Sequence, residues 1–66
     1  MTTAVYVIAD VDIDHDGDEM LVYNVYVGDD DAEPTGKVYI VRRGAAAAFE
    51  LGRKIARDRN LELVTD

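Results

Sequence analysis

The feature that most constrains the fold is a pair of strand-like segments separated by an Asp-Gly pair. Every second residue of the segment 4–13 is apolar, and the shared side carries Val5, Val7, Ala9, Val11 and Ile13. The segment 20–27 is rich in valine and tyrosine, and Asp16-Gly17 lies between the two. Alternation with a period of two is typical of a strand, and Asp-Gly favours a tight hairpin turn. The sequence therefore predicts an antiparallel hairpin.

The length of the turn decides which side chains share a face. If Asp16-Gly17 is a two-residue loop, Ile13 lies opposite Met20 and Ala9 lies opposite Asn24 on the core face of the hairpin. On the other face, Asp14 then lies opposite Glu19 and Asp12 lies opposite Leu21. The other face is then acidic near the turn and apolar at the far end, where it presents Tyr6, Ile8, Tyr23, Val25 and Val27. A three-residue loop would shift the register and exchange part of these assignments.

After a polar connection with Pro34 and Gly36, residues 37–41 resume a strand pattern. A helix is expected over residues 45–59, with Gly44 as its N-cap. Asn60 is expected to end it by adopting the left-handed backbone conformation. Its apolar side contains the small residues Ala48, Gly52 and Ala56. Small residues one turn apart allow close packing against a sheet or another helix.

These segments predict one α+β domain over residues 1–66. Its sheet is a three-stranded antiparallel meander, and one C-terminal amphipathic helix covers one face of that sheet. Residues 61–65 alternate well enough to add a short fourth strand, within the chain or in a neighbour, which gives the order β-β-β-α-β. This helix-to-strand ending looks like the close of several small β-β-α-β domains, a likeness that implies no function.

The composition is strongly acidic: 14 Asp and Glu residues against 7 Lys and Arg residues give a net charge of −7. Concentrated salt screens such repulsion, because the Debye length falls to about 3 Å at 1 M. Arginine outnumbers lysine, and Ser, Gln, Cys and Trp are absent, so the composition resembles that of haloarchaeal cytosolic proteins. The chain has no positively charged leader and no apolar run long enough for a membrane span, so a cytoplasmic location is expected.

Two sets of residues are candidates for binding. Residues 12–17 match the start of an EF-hand loop, which would make Asp12, Asp14, Asp16 and Glu19 the ligands of a calcium-type cation. Position twelve of that loop falls on Tyr23, and its flanks are strand-like, so a solvated hairpin is favoured. Nucleic acid would use another set, Arg42, Arg43, Arg53 and Arg57, with tyrosines nearby, but the excess of acids opposes it.

The same sequence argues against catalysis and for self-association. It has no serine or cysteine nucleophile, no phosphate loop and one exposed histidine, so neither an enzyme nor a cofactor is expected. A domain of 66 residues buries little apolar surface and has no disulfide to compensate. Because one helix covers one face, the five apolar residues predicted on the other face are candidates for a homodimer interface.

Overall fold

The computed structural model describes residues 3–65, and these form a four-stranded sheet with one helix. Strands β1 (Ala4–Ile13) and β2 (Glu19–Gly28) are long, whereas β3 (Tyr39–Val41) and β4 (Glu62–Thr65) are short. Helix α1 (Ala45–Arg59) lies between β3 and β4 in the chain. The strand order is β3-β2-β1-β4, with β4 parallel to β1 and the other pairs antiparallel. The α+β class, the meander and the fourth strand within the chain are confirmed.

The predicted register of the hairpin was wrong by one residue. Ile13 pairs with Glu19 and not with Met20, and Val7 pairs with Val25. The cause is a three-residue loop, His15-Asp16-Gly17, in which Gly17 has φ 86°. A turn followed by a residue in the left-handed region is the usual form of such loops, and glycine adopts that region without steric cost.

The corrected register determines which residues form the core. The residues buried together are Val5, Val7, Val25, Ala48 and Ala56, and partly buried neighbours include Tyr23, Val27 and Leu63. Helix α1 approaches the sheet so closely that a Cβ on Gly52 would lie 2.7 Å from Val7 Cγ2. The predicted role of the small residues in close packing is thereby confirmed.

Both ends of the helix have the predicted caps. Gly44, at φ 101°, precedes the first turn, and Asn60, at φ 55°, ends the last one. Asn60 N donates to Arg57 O at 3.3 Å, and Leu61 N donates to Ala56 O at 2.8 Å. These two bonds satisfy carbonyls that the helix end would otherwise leave unpaired, and they turn the chain directly into β4.

The connection after β2 folds back over the sheet face opposite the helix. The hydroxyl groups of Tyr6 and Tyr26 donate to the carbonyl oxygens of Asp29 and Ala32, each at 2.8 Å. The two rings stack with centroids 5.5 Å apart, and burial followed by the charge of Tyr6 raises the pKa of Tyr26. This connection covers part of the face that the sequence left open.

The two acidic runs form the same turn. Asp14 Oδ1 accepts hydrogen bonds from the backbone N–H groups of Asp16 and Asp18, each at 2.9 Å. Asp29 Oδ1 accepts the equivalent bonds from Asp31 and Glu33, at 3.0 and 3.2 Å. The first aspartate of each run therefore satisfies local backbone donors, which is a common role of Asp in turns.

One position differs between the two turns and gives a test. Ala32 occupies the left-handed position at φ 59°, where the first turn has Gly17. A Cβ in that region costs roughly 1–2 kcal/mol, so we expect Ala32→Gly to raise the free energy of unfolding by about 1 kcal/mol. Gly17→Ala is the matched change and should lower it by a similar amount. Urea denaturation of both variants measures this, and an effect of the same sign in both would contradict it.

Candidate interaction surface

The outer half of the hairpin extends beyond the helix, and we call residues 10–22 the arm. A strand of ten residues is about 33 Å long, whereas a helix of 15 residues is about 22 Å long. The helix starts soon after Val41, which pairs with Tyr23, and runs away from the turn towards Ala4 and Gly28. The overall dimensions of 40 × 22 × 18 Å agree with a projecting arm.

Three large apolar side chains lie uncovered on the helix side of the arm. Val11 is 56% exposed, Ile13 63% and Leu21 57%. Val11 pairs with Leu21, and both lie on the face that carries Val7 and Val25 further along the same strands. We call Val11, Ile13 and Leu21 the arm patch. It continues the core face of the sheet into solvent.

A shallow groove lies beside the base of the arm, where β3 ends and the helix begins. Its lining residues are Ile40, Val41, Arg42, Arg43, Ala47 and Leu51. Val41 and Leu51 also pack against the core, and both are half-buried. The groove therefore adds apolar surface with a basic rim next to the arm patch.

The opposite side of the arm is acidic and has its own partners. Asp12 forms an ion pair with Arg42, and Asp12 Oδ1 also accepts a hydrogen bond from Ile13 N at 3.0 Å. Asp10 Oδ2 accepts a hydrogen bond from Asn24 Nδ2 at 3.1 Å. The hydrogen bond from Arg42 and its positive charge lower the pKa of Asp12. The ion pair places Arg42 at the acidic end of the sheet.

The four candidate cation ligands do not face one another. Glu19 pairs with Ile13 and therefore lies on the helix side, whereas Asp12 lies on the other side with Met20. Asp14 binds backbone N–H groups and Asp16 lies in the loop, so the predicted pairing of Asp14 with Glu19 was wrong. Within residues 3–65 no group of three or more His, Cys, Asp or Glu is placed to hold a metal ion.

The four candidate arginines lie on two surfaces. Arg43, Arg53 and Arg57 line a shallow depression on the outer side of the helix together with Lys54 and Glu50. Arg42 lies apart from it, against Asp12 and Met20 on the acidic side of the arm. The chain thus has a basic helix surface and an acidic arm, and none of its Lys or Arg residues precedes Lys37.

The five predicted interface residues do not share an uncovered face. Val25 is fully buried beneath the helix, and Tyr23 and Val27 pack against the same core. Tyr6 and Ile8 lie on the opposite face, where Tyr6 binds the connection after β2. The prediction that these residues form one patch was wrong, because it depended on the two-residue loop.

The sequence did not reveal the arm patch for two reasons: the predicted register was wrong by one residue, and the length of the helix was not compared with that of the strands. The sequence placed Val11 and Ile13 in the core and Leu21 on the acidic face. Comparing the expected length of ten-residue strands with that of the helix would have shown that the helix cannot reach the turn. The difference in length between these strands and the helix was thus the sequence signal that could have predicted the arm patch.

Comparisons with known proteins identify no relative for this chain. No family model, no curated protein and no solved structure matches it. Among residues 3–65 no helix is both long and apolar enough to cross a membrane. The proposed function therefore rests on the arm, the groove and the basic helix surface.

Proposed function

We propose that this protein is a non-enzymatic interaction module that works as a homodimer in the concentrated salt of a cytoplasm. The arm patch carries this proposal, because three adjacent large apolar side chains are each more than half exposed. Contiguous apolar surface of this kind normally meets a partner. Association also supplies the buried surface that a 66-residue chain without cysteine otherwise lacks.

The acidic composition favours concentrated salt as the setting. High salt screens the repulsion between two copies that each carry −7, and it strengthens apolar association where the salt is excluded from protein surfaces. An apolar contact therefore suits this chain better than a contact built on exposed ion pairs.

Sedimentation equilibrium of the full chain tests the proposal. At 2 M KCl and protein concentrations from 5 to about 500 μM, we expect the average mass to rise from near 7.3 kDa towards twice that value. A mass that stays at 7.3 kDa over the whole range would contradict it. A mass that continues to rise without a plateau would indicate open aggregation and would also count against a closed dimer.

A nucleic-acid-associated regulator is a second candidate, and the basic helix surface is the observation that favours it. Arg43, Arg53, Lys54 and Arg57 lie around one depression, with Glu50 as the acidic residue there. The net charge of −7 opposes binding to phosphates, and molar salt weakens it further. Titration with fluorescent single- and double-stranded DNA and RNA at 0.2 M and 2 M KCl tests this candidate, and no response at either salt concentration would exclude it.

A further inference from the structure

We propose that two copies of this chain pair arm against arm about a two-fold axis at Val11 and Leu21, with the tip of each arm in the groove of the other. This inference rests on the proposed homodimer and specifies its geometry. It assigns the groove beside the helix as the second half of the interface. It also gives Glu19 and Arg43 a role in setting the alignment.

The arm has three levels of side chains on its helix side. The base level is Ala9 with Tyr23, the middle level is Val11 with Leu21, and the tip level is Ile13 with Glu19. Successive levels are about 6.8 Å apart, because side chains on one face of a strand recur every second residue. A two-fold axis that crosses the strands at the middle level therefore places the tip of one arm on the base of the other.

This alignment supplies an apolar contact for each uncovered side chain. Leu21 and Val11 meet their own copies near the axis, where a closed two-fold interface brings identical residues together. Ile13 reaches the base of the partner arm, next to the groove that Val41, Ala47 and Leu51 line. The whole arm patch is then buried in both copies.

Charge complementarity favours the same alignment. The tip carries Glu19 on the helix side and the acidic turn of residues 14–18. The base lies beside Arg43, which lines the groove and precedes the helix. Placing tip on base brings opposite charges together in two equivalent places. Opposite charges fix the register of an interface more than they strengthen it.

The other two-fold alignments are worse for physical reasons. An axis at the tip level would bring Glu19 and the acidic turn of one copy against those of the other, and like charges close together repel. An axis at the base level would carry the tip of each arm two levels past the base of the other, onto the part of the sheet that the helix already covers. The middle level is the alignment that avoids both problems.

Cross-linking of single-cysteine variants tests this geometry, because the natural chain has no cysteine. Leu21→Cys should cross-link to itself with a short bis-maleimide about tenfold faster than Val64→Cys. Val64 is the control because it lies in β4 on the sheet face opposite the helix. A mixture of Ile13→Cys and Ala47→Cys should cross-link faster than either variant alone. Sedimentation of each variant shows whether it still associates.

These experiments distinguish a wrong alignment of the two arms from the absence of a homodimer. Fast self-cross-linking of Ile13→Cys in a chain that sediments as a dimer would place the axis at the tip and overturn the alignment. Preferential cross-linking of Val64→Cys would move the interface to the other face and would also overturn it. A monomer in sedimentation would contradict the homodimer, whatever the cross-linking rates.

Discussion

Gly52→Val should lower the free energy of unfolding by about 3 kcal/mol, because the added side chain has no space between the helix and the sheet. Its Cβ alone would lie 2.7 Å from Val7 Cγ2 and 3.1 Å from Leu63 Cδ1. Val7 is buried in the core and Leu63 packs against that core, so neither can move without disturbing the contact. A domain of this size has only about 3–5 kcal/mol of stability, so this variant should retain at most about 2 kcal/mol.

Thermal unfolding followed by circular dichroism at one fixed protein concentration measures this effect. The expected loss corresponds to a fall of at least about 12 °C in the melting temperature, at 4–8 °C per kcal/mol. Ala46→Val is the matched control, because Ala46 is an exposed residue of the same helix and the substitution changes only helix propensity there. Similar melting temperatures for the two variants would show that the helix does not lie this close to the sheet.

Leu21→Asp should weaken dimerisation by at least about a hundredfold without unfolding the chain. Burying the exposed part of each leucine contributes roughly 1–2 kcal/mol, and a symmetric dimer contains the residue twice. Each new carboxylate also adds a desolvation cost, so the total loss exceeds the roughly 2.8 kcal/mol that corresponds to a hundredfold change. The fold should persist, since Leu21 is 57% exposed in the single chain and contributes little to its core.

The control for Leu21→Asp is the same substitution at another exposed apolar residue. Val64 is 37% exposed and lies on the opposite face of the sheet, on the edge strand β4. Val64→Asp should leave the dissociation constant within about threefold of the natural value, as expected for a site outside the interface. If Val64→Asp dissociates the dimer and Leu21→Asp does not, the arm patch is not the interface.

The hairpin, the helix and its caps could be predicted from local chemistry. Alternation in β1, the small residues of the helix and the left-handed Asn60 each depend on neighbours within a few residues. The structure confirms these elements, and the fourth strand begins at Glu62, two residues after Asn60. Interactions within one turn or one strand are the ones that a single sequence records most directly.

The register could not be obtained from the turn signal alone, because Asp16-Gly17 fits both a two-residue loop and the end of a three-residue loop. One residue of difference moves Val25 from the open face to the core. Asn24 could have distinguished the two registers, because the predicted one placed this polar amide on the core face of the hairpin. The observed register places Leu21, Tyr23, Val25 and Val27 together on the helix side of the sheet.

The most direct test of the proposed homodimer is a dilution series of the full chain followed by methyl NMR in 2 M KCl. We expect the methyl resonances of Val11, Ile13 and Leu21 to shift with one common midpoint concentration. Those of the buried residues Val5 and Val25 should stay constant and serve as the internal reference. Shifts confined to Ile40 and Val64, or no concentration dependence up to about 500 μM, would contradict association through the arm.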